Sequence, residues 1–161
     1  MKKIFFTATV FFCCLFTGFT GHTQITRCVP EEVRLAYDIN FNEASLVSWE
    51  KVRDGYRAIV NLGKERIDAY FSKTGEFKGV GRCIESNLLS VKVIKKLSRQ
   101  YDDFSVEEIY EYTCNVNGIC YFITMQNDQV MLVVKFSPSG KLLDSEEQQI
   151  KKPDNIIVRK E

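Results

Sequence analysis

Two segments of the chain space their apolar residues three and four positions apart, which is the spacing of one face of an α-helix. The first lies around residues 31–44 and the second around residues 90–103. Pro30 stands at the start of the first segment, and Ser90 is a suitable N-cap for the second. The apolar positions of the two segments are Val33, Ala36, Tyr37, Phe41, Val91, Ile94, Leu97 and Tyr101. We therefore predict one helix in each segment, with these residues as its apolar stripe.

Each helical segment is followed by stretches in which apolar and polar residues alternate, as they do in β-strands. The predicted strands are residues 47–52, 55–62, 65–72, 76–84, 107–115, 119–126, 129–137 and 140–148. Short turns separate them. Consecutive strands joined by tight turns favour an α+β fold with antiparallel meanders over a parallel α/β fold.

One turn motif occurs twice in the chain. Residues 70–79 read YFSKTGEFKG and residues 135–144 read KFSPSGKLLD, so a Ser-x-[Thr/Ser]-Gly turn recurs after 65 positions. The glycine of each turn supplies the positive φ that such a turn needs. Because the strand before the turn matches at the same offset, the sequence predicts a tandem repeat of helix plus antiparallel β-meander. The two repeats are expected at about residues 28–88 and 89–148.

The N-terminal segment, residues 1–24, has the features of a secretion signal. Two lysines give it a positive start, and an apolar, uncharged run follows at residues 4–19. That run has about the length of a signal-peptide core and is short for a membrane span. We therefore expect a single mature domain at residues 25–150 and a C-terminal tail at residues 151–161, in a periplasmic or secreted protein. A retained helical anchor is the alternative.

The charge balance gives no electrostatic footprint for nucleic acid or for an anionic membrane. The chain has 22 basic and 21 acidic residues, and loss of the two signal lysines leaves 20 against 21, a net charge of −1. We therefore expect no nucleic-acid partner and no stable membrane insertion after signal cleavage.

The mature chain lacks the residue types that common catalytic sites require. The single histidine, His22, lies in the signal segment, which argues against His-based triads, Cys–His dyads and zinc hydrolysis. The adjacent carboxylate pairs are Glu31-Glu32, Asp102-Asp103 and Glu107-Glu108. Neighbours in a strand point to opposite faces, and neighbours in a helix are about 100° apart, so such pairs do not form a shared-proton dyad. We predict a protein that is not an enzyme, with no cofactor and no metal site.

Four cysteines remain after signal cleavage, and an even number in an exported chain indicates disulfides. The stretch YTCNVNGICYF predicts a hairpin with a three-residue loop at residues 116–118, which places Cys114 opposite Cys120. We therefore predict a Cys114–Cys120 disulfide and, by elimination, a Cys28–Cys83 disulfide. Reduced, buried thiols are the alternative.

A set of apolar, aromatic and glycine positions spans about residues 28–146. Its members are Val29, Pro30, Val33, Trp49, Tyr56, Ala58, Ala69, Phe71, Gly75, Ile84, Tyr121, Phe136 and Gly140. In these positions the chain resembles the PepSY-like, β-lactamase-inhibitor-protein-like (BLIP-like) secreted domains. It departs from them at Leu88-Leu89, where the family often has Leu-Pro, and at Phe77, where it often has Trp. The resemblance implies helices packed on one face of an antiparallel sheet, with the other face open for binding.

The alternation along the strands separates two faces of the predicted sheet. One face is uniformly apolar and consists of Tyr56, Ala58, Val60, Ile67, Ala69, Phe71, Tyr121, Ile123, Met125, Leu132, Val134 and Phe136. The other face would be polar if it met only water, but its second half is rich in aromatic residues. We predict that this face binds a protein through Tyr70, Tyr110, Tyr112, Phe122, Met131, Arg57 and Arg66. The alternative is that the C-terminal tail folds back and covers it.

These features predict an exported, non-catalytic protein-binding domain whose partner is another exported or envelope protein. Inhibition of an envelope hydrolase is the narrower form of this hypothesis. The alternative is a structural or assembly module of the cell envelope without inhibitory activity.

Overall fold

The computed structural model describes residues 29–150 of the 161-residue chain. The described helices are α1 (Glu31–Asn40) and α2 (Val91–Gln100), and a short 3-10 helix lies at Ser86–Leu88. The strands are β1 (Ser45–Val52), β2 (Gly55–Leu62), β3 (Glu65–Ser72), β4 (Phe77–Cys83), β5 (Ser105–Cys114), β6 (Gly118–Gln126), β7 (Val130–Phe136) and β8 (Leu142–Gln149). The predicted signal peptide, Cys28 and the C-terminal tail lie outside the described residues.

The predicted positions of the strands are confirmed. β2 and β3 begin and end where the alternation places them, and the other strands differ by one or two residues at one or both ends. The predicted helical segments extend three or four residues too far, because Phe41 and Tyr101 are C-caps with φ near −137°. Each still donates its backbone N–H to the preceding helical turn, at 2.8 Å for Phe41 and 2.9 Å for Tyr101.

The prediction of a tandem repeat of helix plus β-meander, with the helices packed on one face, was wrong. The described chain is mostly one eight-stranded antiparallel sheet in sequence order, with only two α-helices of ten residues each. Buried side chains are few in the helices: Val33 and Tyr37 in α1, and Val93 in α2. Strands therefore supply most of the core. Most members of the two buried clusters lie on strands, because the strands carry the alternating apolar residues.

The chain divides into two compact units. Among the described residues, the first unit contains residues 29–82 together with Cys114–Val116, and the second contains Cys83–Thr113 together with residues 117–150. Each unit has its own buried cluster of apolar residues.

The core of the first unit is aromatic. The ring of Tyr37 on α1 lies 5.5 Å from that of Trp49 on β1 and 6.5 Å from that of Phe71 on β3, measured between centroids. Ala58 on β2 lies opposite Trp49 on one side and Ala69 on the other, and both alanines are fully buried. Because these alanines carry only a methyl group, they leave space on this face for the large rings.

The core of the second unit is aliphatic around one phenylalanine. Its fully buried side chains are Val93, Ile123, Met125, Val134 and Phe136. The predicted apolar stripe of α2 was wrong in its first turn, where Val91 is 64% exposed and Ile94 is 40% exposed. The side chain of Ser90 accepts a hydrogen bond from the Val93 N–H at 3.4 Å, which confirms the predicted N-cap.

The two Ser-x-[Thr/Ser]-Gly turns close with the same hydrogen bond. The N–H of Gly75 donates to the carbonyl of Ser72 at 3.2 Å, and the N–H of Gly140 donates to that of Ser137 at 2.9 Å. The φ angles of the two glycines are 83° and 80°. The prediction that both turns need a positive φ is thereby confirmed.

Candidate partner-binding face of the sheet

In the second unit, alternate residues of β6, β7 and β8 form the face that points away from the buried cluster. The cross-strand rows on this face are Phe122, Lys135 and Asp144, then Thr124, Val133 and Glu146, then Gln126, Met131 and Gln148. The residues between them on β6 and β7, such as Ile123 and Val134, belong to the buried cluster. Since successive side chains of a strand point to opposite faces, the three rows share one surface. We call it the distal face.

An apolar strip runs along the centre of the distal face. Phe122 and Met131 are half-buried, and Val133 is buried. The Nζ atom of Lys135 lies 5.0 Å from the centroid of the Phe122 ring. At this distance an ammonium group is attracted to the face of an aromatic ring. The strip therefore has a positive charge at one end.

Acidic residues of β8 border this strip. Every residue of β8 is exposed. Asp144 lies opposite Lys135, and Glu146 lies opposite Val133. The sequence-based choice of site residues missed this border. The signal was present, because Asp144 and Glu146 follow the period of two within the predicted strand.

Strand β5 adds two tyrosines to the distal face. Ile109 belongs to the buried cluster, so Tyr110 and Tyr112 point the other way. Tyr110 is buried, whereas Tyr112 is half-buried. Glu108 on the same strand accepts a hydrogen bond from the Cys83 thiol at 3.2 Å.

In the first unit, Arg57 is the centre of an ion-pair network. Its guanidinium contacts the carboxylate of Glu50 on β1, and its Nη1 lies 3.3 Å from Asp68 Oδ2 on β3. Burial lowers the pKa of Arg57. The hydrogen bond to Glu50 and the charge of Asp68 together raise this pKa by more than burial lowers it, so the net shift is upward. Arg57 is therefore a permanently charged side chain that is held in place by two carboxylates.

Two other predicted site residues lie near Arg57 in the strand register. Tyr70 lies opposite Arg57 and is 6% exposed, whereas Arg66 lies opposite Asn61 and is exposed. The structure thus gathers Tyr110, Tyr112, Phe122 and Met131 on one face of the second unit, and Arg57, Arg66 and Tyr70 on one face of the first. Their use as partner contacts stays a prediction.

The described cysteines lie at or near strand ends. β4 ends at Cys83 and β5 ends at Cys114, while Cys120 is buried within β6. The turn between β5 and β6 spans residues 115–117, one residue earlier than predicted, and Gly118 after it has a φ of 69°. No disulfide is seen between cysteines in the described part of the chain. Both predicted disulfides stay predictions.

Glu107 and Glu108, which are neighbours on β5, accept hydrogen bonds from two different side chains. Glu107 accepts a hydrogen bond from Gln126 Nε2 at 3.0 Å, and its neighbour Glu108 accepts one from Cys83. Within residues 29–150, no group of three or more His, Cys, Asp or Glu side chains is placed to hold a metal ion. Across the same residues, no helix has both the length and the apolar character of a membrane span.

The fold is similar to those of solved proteins from Bacteroides species. A DUF2874 family protein from Bacteroides uniformis has a TM-score of 0.67 at 13% sequence identity, and the match covers 73% of this chain and 88% of that one. A candidate periplasmic protein from Bacteroides eggerthii has a TM-score of 0.66 at 16% identity, with 79% and 93% covered. A BLIP-like protein from Bacteroides fragilis has a TM-score of 0.61 at 17% identity, with 78% and 89% covered.

These similarities concern the fold. No model of a known protein family matches the sequence, and no curated protein does. The BLIP-like part of the predicted resemblance agrees with one of the solved structures.

Proposed function

We propose that this chain is an exported, non-catalytic protein-binding domain, and that its partner docks on the distal face of the second unit. The observation that carries the proposal is the apolar strip of Phe122, Val133 and Met131, which lies between a lysine and a row of acidic residues. A sheet face that met only water would carry polar side chains at these positions.

The distal face has the composition of a protein interface. Such interfaces combine an apolar, often aromatic centre with a charged rim. Phe122 and Tyr112 supply half-buried aromatic rings, and Lys135, Asp144 and Glu146 supply charges of both signs. Aromatic residues are enriched among the few that carry most of the binding energy. We therefore assign the anchor role to Phe122 and Tyr112.

The first unit contributes charge more than anchoring surface. Arg57 already contacts Glu50 and Asp68, so a partner that used it would have to compete with two carboxylates. Arg66 is exposed and suits the rim of an interface.

The partner class follows from the compartment. The proposed signal peptide at residues 1–24 directs the chain out of the cytoplasm, so the partner is another exported or envelope protein. A candidate periplasmic protein and a BLIP-like protein with the same fold support this compartment and a binding role. The narrower form of the proposal, within the PepSY-like and BLIP-like resemblance, is inhibition of an envelope hydrolase.

The test compares capture of envelope proteins by three forms of the mature domain: wild type, Phe122→Ala and Ile39→Ala. Ile39 is a matched control, because it is an exposed apolar residue on α1 with 80% of its surface accessible. Truncation of an aromatic anchor typically costs about 2 kcal/mol or more of affinity. We expect Phe122→Ala to weaken binding of the captured protein while Ile39→Ala binds like wild type.

Equal binding by all three forms would remove the distal face from the proposal. If the captured protein is a hydrolase, its rate with and without the domain separates inhibition from an assembly role.

A further inference from the structure

Strand β8 forms one edge of the eight-stranded sheet and pairs with β7 along its length. The N–H of Ile150, just beyond β8, donates to the carbonyl of Gln129 beside β7 at 2.9 Å. Backbone N–H groups alternate in direction along a strand, so those of Ser145, Glu147 and Gln149 point away from β7. The N–H of Ser145 donates instead to the side chain of Asp144 at 2.9 Å. An outward row of backbone donors can receive another strand.

The chain itself carries a segment suited to this edge. After Ile150 it continues as Lys-Lys-Pro-Asp-Asn and then Ile-Ile-Val-Arg-Lys-Glu, which ends at Glu161. Pro and Asp favour a turn, and the run of β-branched residues that follows favours a strand. A five-residue connection is common in hairpins. The segment is already attached to the end of β8, so it meets the edge at a high effective concentration.

Charge complementarity selects one register. With Ile150 opposite Ile156, Glu147 faces Arg159 and Glu146 faces Lys160. A shift by one residue in either direction breaks both pairs and forms only one new opposite-charge pair, Glu146 with Arg159 or Glu147 with Lys160. A second copy of β8 on the same edge would bring acidic residues together, and like charges directly opposite are destabilising.

We propose that residues 156–161 pair antiparallel with β8 as a ninth strand, in the register that places Ile150 opposite Ile156. The occupant of the β8 edge is then the C-terminal segment of this chain. This pairing concerns the edge of the sheet, whereas the proposed partner docks on the distal face.

The experiment measures amide hydrogen exchange in the full chain and in a chain that ends at Ile150. Removal of the tail is expected to speed exchange of the outward amides of Glu147 and Gln149 by about tenfold or more, because they lose their strand partner. The amide of Gln148, which points towards β7 by the same alternation, serves as the internal control and should change little.

Charge variants test the register in the full chain. Arg159→Glu with Lys160→Glu should speed exchange at Glu147 and Gln149, and the added changes Glu146→Lys with Glu147→Lys should restore slow exchange at both positions. Lys151→Glu with Lys152→Glu makes the same change of charge within the connection and should have no effect.

Two results would overturn the proposal. The first is exchange at Glu147 and Gln149 that is the same with and without the tail. The second is protection that rises with protein concentration, which would assign the edge to a second copy. Partner binding is measured separately, so neither result bears on the distal face as a binding site.

Discussion

A Cβ atom on Gly75 would lie 2.5 Å from the carbonyl oxygen of Glu32. That oxygen belongs to the first turn of α1, so the turn between β3 and β4 packs its backbone directly against the helix. Gly75 also has a φ of 83°, where a side chain is unfavourable. Glycine is therefore required at this position for two independent reasons.

Replacement of Gly75 by alanine should destabilise the first unit more than the same change at another glycine with positive φ. We expect a loss of about 2–4 kcal/mol for Gly75→Ala, since the backbone conformation and the overpacking both contribute. Gly63 is the matched control, because its φ is 63° and no atom lies within 4 Å of its Cβ position. Gly63→Ala should cost only about 1–2 kcal/mol. Urea unfolding measures both, and equal losses would contradict a role for the contact with Glu32.

Aromatic residues on the two faces of the sheet should respond differently to truncation. Phe136 is fully buried, and Phe136→Ala should cost about 3–5 kcal/mol of stability. Tyr112 and Phe122 are half-buried on the distal face, so Tyr112→Ala and Phe122→Ala should leave the melting temperature within a few degrees of wild type. Calorimetry of the three variants decides the point. If all three unfold alike, the distal face is covered and the binding site must lie elsewhere.

Loss of Arg57 should destabilise the first unit, because it leaves Glu50 and Asp68 without their shared cation. Asp68 has only 16% of its side chain exposed, so its charge is poorly solvated. We expect Arg57→Met to cost about 1–3 kcal/mol. Arg66→Met is the control on the same face, and its exposed side chain should matter by less than about 0.5 kcal/mol. Chemical denaturation at low and high salt would measure the loss of stability in each variant. A similar loss for Arg57→Met and Arg66→Met would contradict a stabilising role for the ion-pair network.

Stability should fall in alkaline solution partly through Tyr121. Burial raises the pKa of Tyr121, and the charge of Glu111 raises it further. The contribution of the neutral Tyr121 side chain to the free energy of unfolding is therefore complete below the unfolded pKa of about 10. This contribution is lost as the pH rises through the higher pKa of the folded state. The pKa of Tyr37 is raised as well, mainly by burial and to a smaller extent by the charge of Asp38. Tyr121→Phe should flatten the fall in stability above about pH 9, and the double change with Tyr37→Phe should flatten it more. An unchanged slope in both variants would contradict this account.

Peptide mapping of the exported protein without reductant would determine which cysteines form disulfides. We expect a Cys114–Cys120 peptide closed on itself and a second product that joins Cys28 to Cys83. The larger loop would contribute about 4 kcal/mol on the chain-entropy model, so reduction should lower the melting temperature. Four thiols that all react with an alkylating reagent in the native exported protein would contradict both pairings.

Local patterns in the sequence were sufficient to place the strands and their turns. The ends of β2 and β3 agree with the alternation because turn residues bound each stretch. Gly75, Gly118 and Gly140 have the positive φ that their turns require. Alternation also separated the two faces correctly, and Phe71 and Phe136 are buried as their pattern indicates. These features depend on neighbours in the chain, so a single sequence contains them.

The rotation of α2 about its axis and the burial of individual predicted site residues depend on tertiary contacts. The pattern of apolar and polar positions does not specify these contacts. Val93 is buried instead of Val91, because the surface that a helix meets decides which side faces inwards. Tyr70 and Tyr110 are buried although each strand position points away from the buried cluster of its own unit.

Tertiary structure alone decided the architecture and the composition of the candidate site. The sequence indicates where each strand lies and which way its side chains point, but pairing between strands joined all eight into one sheet. The same pairing set Lys135 beside Phe122 and Asp144, and set Arg57 between Glu50 and Asp68. The physical reason is that alternation is a property of one strand. Backbone hydrogen bonding between strands sets the register, and the register determines which charged groups and aromatic rings lie next to each other.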